Sequence, residues 1–235
     1  MTYKEVMREL EKLGNAQTKK TWANHGAQEP FFGVKIGDMK PIQKKIKKDY
    51  ELSIQLYNSG NADAMYFAGL IADEKKITKE DLQHWVEKAN WSMISEYTVA
   101  WIAAESFYGW MLGMEWVDSP DPKIASSGWA TLSSVVAIKP DAELNIQLLD
   151  KILNRVAKEI HKAPNRVCYT MNGFVIACGS YISSLTDKAI ATAEKIGSVT
   201  VDVGGTACKV PFAKDYINKV KAAGKIGRKK KEARC

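Results

Sequence analysis

Residues 91–117 read WSMISEYTVAWIAAESFYGWMLGMEWV, and their part from Tyr97 onward is the most apolar run in the chain. Glu105 and Glu115 interrupt this run, and its indole and phenol rings suit a buried helix better than a membrane span. The surrounding segment, Trp85–Trp129, holds six of the seven tryptophans. Aromatic side chains at helical spacing usually form a core, but aromatic faces beside carboxylates also hold flat, electron-poor rings. The stretch therefore predicts either an indole-rich core or a ring-binding site.

Helical start signals and helical periodicity occur on both sides of this stretch. Thr78 is followed three residues later by Asp81, as in a capping box, and the Asp-Pro pair at 121–122 is a cap followed by a proline at the first helical position. Asp38 is a similar candidate cap before Pro41. Further helices are predicted at 91–114, 121–138, 141–161, 166–183, 185–196 and 211–223.

Many helices of ~10–20 residues joined by short turns favour an all-α array of antiparallel pairs. No strict internal repeat is present, which excludes identical repeats, but a degenerate helical-repeat solenoid (an α-α superhelix) fits because such repeats share packing rather than letters. The exception is residues 199–210, where β-branched residues alternate around a Gly-Gly pair and predict a small β-hairpin. We expect a single α-helical domain over residues 1–223 and a mobile basic tail over residues 224–235.

The net charge of +7 is concentrated in the C-terminal segment. Residues 212–235 contain seven lysines and two arginines against two acids, and basic and acidic residues balance in the rest of the chain. Such a segment attracts polyanions through counterion release, although a Lys-rich end can also serve only as a solvated tail.

The cysteines, the histidines and the N-terminal residues limit the classes of protein to which this chain can belong. The four cysteines form no C-x-x-C pair and the three histidines are scattered, so neither a zinc site nor a disulfide framework is predicted. No phosphate-cradling glycine loop, H-E-x-x-H motif or nucleophile elbow is present, and we expect no cofactor. The first fifteen residues are charged and amphipathic without an apolar signal core. These features predict a cytoplasmic monomer with no metal and no membrane association.

Two predicted helices carry polar residues that are candidates for chemistry. In the first, Ser95 lies four residues after Trp91, and therefore on the same helical face, while Glu105 is embedded further on among apolar residues. A carboxylate among aromatics is costly to bury unless it is paired or used, so Glu105 is either the partner of a cation or helix end, or a catalytic acid.

The second helix, predicted over residues 166–183, carries a polar stripe. Asn165, Tyr169 and Asn172 fall at positions i, i+4 and i+7, which share one helical face. The stripe either reads a ligand or a phosphate group, or ties neighbouring helices together through hydrogen bonds.

The stretch FGVKIGDMK at residues 32–40 resembles the segment that opens the AlkD-like DNA alkylation repair proteins, which are all-α proteins of HEAT-like repeats. Trp91 and Ser95 fall where that family has a Trp followed four residues later by an Asp, and Phe174 falls where it supplies another cleft aromatic. The order and spacing of these motifs agree over most of residues 1–195. The resemblance implies a concave, basic surface that grips double-stranded DNA. The family's active members are glycosylases that release N3- and N7-alkylated purines.

The residues at the family's functional positions differ in part. Ser95 stands at the family's Asp position and cannot carry a negative charge, while Glu96 is one residue further on and about 100° away around a helix. In the family's reaction a carboxylate stabilises an oxocarbenium-like sugar, and stacked indoles add cation–π attraction. By resemblance, the candidate catalytic residues are Glu96 and Glu105. The candidate cleft and DNA-binding residues are Trp91, Ser95, Trp101, Arg166, Tyr169, Asn172, Phe174, Lys225, Arg228, Lys229, Lys230 and Lys231.

Three functional hypotheses follow. The chain is an alkylpurine DNA glycosylase in which Glu96 or Glu105 replaces the missing Asp, a catalytically silent DNA-structure binder, or a helical-repeat scaffold for protein partners. DNA binding of the alkylation-repair type, to double-stranded and alkylated DNA, is our prediction. Base excision depends on whether one of the two carboxylates reaches the cleft.

Overall fold

The computed structural model describes residues 1–204, 206 and 208–234. Within these residues the chain forms thirteen α-helices and no strand, which confirms the all-α prediction. The helices are α1 (Tyr3–Leu13), α2 (Ala16–Asn24), α3 (Ile36–Ile46), α4 (Tyr50–Asn58), α5 (Ala62–Ile71), α6 (Lys79–Lys88), α7 (Ala100–Glu105), α8 (Gly109–Trp116), α9 (Pro122–Ile138), α10 (Ile146–Glu159), α11 (Asn165–Tyr181), α12 (Thr186–Ile196) and α13 (Ala213–Ala222). A π-helical segment, Ile94–Val99, leads directly into α7. The 3-10 segments are Asp141–Glu143, Ile160–Lys162 and Ser183–Leu185.

Two helix starts follow the capping signals of the sequence, and a third does not. Thr78 and Asp81 form a capping box before α6, and the Asp121 side chain caps α9. The predicted Asp38 cap is wrong, because α3 begins at Ile36 and Asp38 lies in its first turn. The extended segment before α3 is held in place up to residue 34, so the helix starts as soon as that segment ends.

The helix predicted over residues 91–114 is interrupted after α7. Ser106 has an extended backbone with ψ of 171°, and its hydroxyl accepts a hydrogen bond from Tyr108 N at 3.1 Å. Gly109 approaches α7 so closely that a Cβ there would lie 2.6 Å from Ala103 O. The chain therefore turns sharply at this point, and α7 and α8 are separate helices.

Helices α5, α7, α9, α11 and α13 lie side by side and run in the same direction. Contacts follow the same order along both members of each pair: Gly60 with Asn90 and then Gly69 with Thr98, where α5 meets the π-helical segment that leads into α7; Glu87 with Lys123 and then Ser95 with Ser127; Asn172 with Pro211 and then Gly179 with Ile217. Helices α9 and α11 meet at Trp129 and Phe174, and both end at residues 227–230, which bind Ala137 O and Ser180 O. Helix α8 runs against α9, since Gly113 packs on Leu132 and Gly128 packs on Val117. Such antiparallel pairs, stacked in register, are typical of helical-repeat proteins.

Replacing Gly128 by Ala is expected to destabilise the fold, because a Cβ there would lie 2.5 Å from Val117 N. The obstructing atom belongs to the backbone, so α8 and α9 would have to move apart, at a cost of about 1–3 kcal/mol. Gly173→Ala in α11 is the matched control, since no atom lies within 4 Å of a Cβ there. Alanine is favoured over glycine in a helix interior by about 0.5–1 kcal/mol, so this variant should gain stability. Urea unfolding measures both changes, and equal midpoints would contradict the close α8–α9 packing.

Residues 225–234, which we call the C-terminal strap, pack back across the ends of these helices instead of extending as the mobile tail that the sequence predicts. Its donors bond to oxygens at helix ends: Gly227 N to Ser180 O, Lys230 N to Ala137 O, Lys229 Nζ to Val136 O and Arg234 Nη1 to Ala72 O. The last carbonyls of a helix lack intrahelical donors and carry partial negative charge. A basic segment is therefore stabilised where several helices end together.

A buried carboxylate organises the extended segment between α2 and α3. Asp63, in the first turn of α5, accepts hydrogen bonds from the backbone N–H groups of Phe32, Gly33 and Val34 at 2.5, 3.1 and 2.7 Å. Gly33 has a φ of +80°, and a Cβ there would lie 2.5 Å from Lys19 N, so only glycine fits. These contacts fix the position of α2 relative to α5.

The described part of residues 199–210 contains no strand, although the sequence predicts a hairpin there; Gly205 and Ala207 lie outside the described residues. The Asn165 side chain exchanges two hydrogen bonds with the backbone of Asp202, at 2.7 and 2.8 Å. Bonds to α11 thus take the place of cross-strand bonds in this segment. They hold it over the start of α11.

Candidate functional site

Two neighbouring cavities lie where the π-helical segment, α9 and α11 begin. The first, which we call the aromatic cavity, has a volume of about 760 Å³, and the second, the polar cavity, has a volume of about 780 Å³. Both are of the size of ligand sites in other proteins, ~300–1,000 Å³. The rings that line the aromatic cavity are Trp22, Tyr66, Trp91, Tyr97, Trp101 and Tyr169. The polar cavity is lined by Asn90, Ser95, Glu96, Lys123 and Ser126, among others. The residues common to both are His25, Gly26, Trp91, Ser92 and Arg166.

Trp91 is fixed in the wall between the two cavities. Its Nε1 donates a hydrogen bond to His25 O at 2.7 Å, and its ring lies 5.0 Å from the ring of Trp22, centroid to centroid. Trp22 is the one tryptophan outside the aromatic segment of the sequence, and it reaches the cavity from α2. The buried hydrogen bond and the ring contact together hold the indole in one orientation.

Trp101 joins two tyrosines around another part of the aromatic cavity. Its ring is edge-to-face with Tyr97 at 5.5 Å and with Tyr66 at 6.1 Å. Trp101 and Tyr66 are buried, whereas Tyr97 is 36% exposed. Of these three rings, Tyr97 is thus the one with the most surface accessible from the cavity.

The π-helical segment places Glu96 in the polar cavity. Ser95 is fully buried, and its hydroxyl donates to Ser92 O at 3.3 Å. Glu96 is 5% exposed, and its two oxygens accept from Arg166, Oε1 from Nε at 2.8 Å and Oε2 from Nη2. The 100° offset between Ser95 and Glu96 holds for an α-helix, but a π-helix closes i→i+5 hydrogen bonds and spaces its side chains differently. Such segments are frequent at functional sites.

Arg166 connects the two cavities. Its Cζ lies 4.4 Å from the ring centroid of Tyr169, a cation–π contact on the aromatic side, while its donors bind Glu96 on the polar side. Burial raises the pKa of Glu96, and the hydrogen bonds from Arg166 and Ser126 offset only part of this shift. Desolvation acts to lower the pKa of Arg166, but pairing with Glu96 outweighs it and raises that pKa. The guanidinium is therefore held as a fixed positive charge between the cavities.

Two predicted cleft residues lie outside both cavities. Phe174 is fully buried and packs edge-to-face on Trp129 at 5.4 Å, because it lies on the face of α11 that meets α9. Asn172 is 2% exposed, and its Nδ2 donates to Pro211 O at 2.9 Å, which ties α11 to the segment before α13. Neither side chain is brought next to Trp91.

Glu105 lies at the opposite end of α7 from the cavities. Its Oε1 accepts from the backbone N–H groups of Ala233 and Arg234 at 2.7 and 3.0 Å, so it anchors the C-terminal strap. The strap cations predicted to contact DNA are at the same end, and of these described residues none lines either cavity: Lys225, Arg228, Lys229, Lys230 and Lys231. Lys229 Nζ also pairs with Asp141 at 2.8 Å.

The structure adds site residues that the sequence argument did not select. Trp22, Tyr66 and Tyr97 complete the aromatic cavity, and Ser126 lines the polar cavity together with Glu96. Their helical spacing indicated only burial, and they come from four separate elements. A helical pattern shows which residues share a face, but not which faces converge on one cavity.

Among the described residues, no group of three or more His, Cys, Asp or Glu side chains is placed to hold a metal ion. No helix in the part of the chain that the structure describes is long and apolar enough to cross a membrane.

Known proteins resemble this chain along nearly its whole length. The profile of the family described as "DNA alkylation repair enzyme" matches residues 6–193. The chain is 33% identical to the uncharacterized protein Lin0241 of Listeria innocua and 34% identical to the uncharacterized protein Lmo0209 of Listeria monocytogenes, in each case over 94% of this chain and 98% of the relative.

A solved structure is described as "a new family of proteins related to the HEAT-like repeat DNA glycosylases with affinity for branched DNA structures". It matches the whole of both chains with a TM-score of 0.92 and 37% sequence identity. This match confirms the predicted HEAT-like helical-repeat solenoid. Together with the profile match over residues 6–193, it establishes that the chain belongs to the DNA alkylation repair enzyme family.

Proposed function

We propose that the protein binds branched DNA through the surface around the two cavities and that it does not excise bases. The observation that carries this proposal is the closed pair of Glu96 and Arg166, which occupies both oxygens of the carboxylate nearest to Ser95. The solved relative with 37% identity belongs to a group with affinity for branched DNA structures, which supports the same substrate class by analogy.

Base excision through an oxocarbenium-like sugar needs a carboxylate that faces the sugar or its attacking water. Ser95 carries no charge, and its hydroxyl is directed to Ser92 O. Glu96 is engaged by Arg166, and Glu105 is engaged by the strap at the far end of α7. None of these three side chains therefore offers a free carboxylate to DNA at the cavities.

Positive groups from several elements line the two cavities, beside the acids Glu87, Glu96 and Asp202. Helices α9 and α11 both begin beside the polar cavity, and helix N-termini attract phosphates through their free N–H groups and partial charge. Lys88 and Lys123 line the polar cavity, and Lys209 lines the aromatic cavity. At a branch point several strands converge, so phosphates of more than one strand reach a single positive surface.

Replacing Lys88 and Lys209 by Ala is expected to weaken binding of a three-way junction and to flatten its salt dependence. Each lost phosphate contact should reduce the slope of log K against log salt by about 1. Fluorescence anisotropy titrations at salt concentrations between about 50 and 200 mM measure both effects. Lys151→Ala with Lys158→Ala is the matched control, because these exposed lysines of α10 line neither cavity.

Other outcomes of this titration would contradict the proposal. Equal affinity for the junction and for a duplex of the same length would remove branched DNA as the substrate class. A complete lack of DNA affinity at physiological salt would leave the scaffold hypothesis instead. The strap cations form a second candidate contact set, and the junction titration with Lys225, Arg228 and Lys231 replaced measures their share.

An alkylpurine glycosylase is the second candidate function, and Asp202 is the observation in its favour. This exposed residue lines the aromatic cavity, and no sequence motif points to it. Incubation of excess protein with N7-methylguanine DNA tests this candidate. We expect neither the unaltered protein nor Asp202→Asn to release the base. Release by the unaltered protein that is lost in Asp202→Asn would overturn the proposal that the protein does not excise bases.

A further inference from the structure

We infer that the aromatic cavity takes one unpaired, uncharged nucleobase from the branch point of bound DNA, an inference that rests on the proposed function. The cavity offers about 760 Å³ of space beside Trp91, Trp101 and two exposed or half-buried tyrosines, Tyr97 and Tyr169. A nucleobase presents two flat faces and polar edges. Stacking on aromatic rings suits the faces whatever the sequence, because every base has a π-face.

The rings are held in place before a base arrives. Trp91 is fixed by its hydrogen bond to His25 O and by Trp22, and Trp101 is held edge-to-face between two tyrosines. The Tyr169 ring lies against the guanidinium of Arg166, which is itself held by Glu96. A preformed site loses less conformational freedom on binding than one whose side chains must be ordered.

Positive side chains outnumber negative ones in the lining of the aromatic cavity, Arg166 and Lys209 against Asp202, which favours a neutral base over a cationic one. Arg166 is held by Glu96 and lies over the face of Tyr169, so one aromatic face already has a cation against it. A cationic, alkylated purine would meet the like charge of this guanidinium. A neutral base avoids that repulsion, and the phosphate attached to it is attracted by Arg166 and Lys209, which both line the cavity.

Branched DNA supplies such a base at low cost. Base flipping in a duplex requires unpairing and unstacking, and the cost is least for a base that is already unpaired. At a junction the pairs that border the branch are partly unstacked. The cavity and the branch point are therefore complementary in both stacking and charge.

The test compares two junctions and two proteins. One three-way junction carries an unpaired adenine at its branch point, and the other carries an abasic analogue at the same position. We expect the unaltered protein to bind the adenine junction roughly 5- to 100-fold more tightly than the abasic one, because base–aromatic stacking is of that strength. Tyr97→Ala should abolish this difference, and Tyr97→Phe, which keeps the ring, should largely retain it.

Phe107→Ala is the control variant, since Phe107 is 95% exposed and lines neither cavity. It should leave the preference for the adenine junction unchanged. If the unaltered protein binds both junctions equally and more tightly than duplex, the base pocket is refuted while the proposed function stands. If it binds neither junction more tightly than duplex, both fail. The comparison on the unaltered protein does not depend on the folding of any variant.

Discussion

Replacing Arg234 by Ala is expected to lower the free energy of unfolding by about 3–5 kcal/mol, the usual cost of breaking a buried ion pair from one side. The Arg234 side chain is 7% exposed and donates to Glu105 Oε2 at 2.9 Å, to Glu74 Oε2 at 2.8 Å and to Ala72 O at 2.9 Å. Its removal leaves the largely buried Glu105 carboxylate without a cation, while Glu74 keeps Lys48, whose Nζ lies 2.5 Å from Oε2. Urea denaturation measures the loss, and the melting temperature should fall by about 2–4 °C per kcal/mol for a chain of this size.

Lys231→Ala is the matched control, because Lys231 is an exposed cation of the same strap and should change stability by less than about 0.5 kcal/mol. Arg234→Lys keeps the charge but not the planar fork of donors, so it should fall between the two. The double variant with Glu105→Ala should lose less than the sum of the single variants. Equal stability of Arg234→Ala and Lys231→Ala would show that the strap does not hold the helix ends.

Replacing Asp63 by Ala is expected to cost at least about 3 kcal/mol, since a buried N–H without an acceptor costs about 1–3 kcal/mol and three lose theirs. The three donors belong to Phe32, Gly33 and Val34, whose segment holds α2 against α5. Asp63→Asn should also be strongly destabilising, because its amide places a donor against one of the same N–H groups. Chemical denaturation of both variants gives the two free energies.

Asp38→Ala serves as the control for this pair. Asp38 is exposed in the first turn of α3, where its charge contributes less than about 1 kcal/mol through the helix dipole. Helix α2 carries Trp22, which lines the aromatic cavity. Loss of Asp63 should therefore also weaken junction binding, in proportion to the fraction of molecules that are unfolded. A variant of Asp63 as stable as that of Asp38 would contradict the role of the buried carboxylate.

The sequence predicts the helices well because each depends on local signals. The capping box of Thr78 and the Asp121 cap before Pro122 are read from neighbouring residues, and both are present. The resemblance in residues 32–40 and at Trp91 leads to the correct family, which the profile match shows. The all-α solenoid was therefore predictable.

The remaining features depend on contacts between residues far apart in the chain. Arg166 and Glu96 are 70 residues apart, and Arg234 and Glu105 are 129 apart, so no local pattern pairs them. The π-helical backbone of residues 94–99 changes the direction in which the Glu96 side chain projects. The residue types in this segment do not signal a π-helix. The sequence predicts a mobile tail because lysines are usually solvated. The strap is held in place by carbonyl oxygens at the ends of α5, α9 and α11, which a sequence pattern does not bring together.

The C-terminal strap also changes how the molecule should unfold. In a stack where each layer touches only its neighbours, outer layers can open independently, so stability varies along the array. Here residues 225–234 bind the ends of α11, α9 and α5, and so join α5 to α9 and α11 across the intervening α7. These layers are thus energetically coupled, and the part of the array from α5 to α11 should melt as one cooperative unit instead of opening layer by layer.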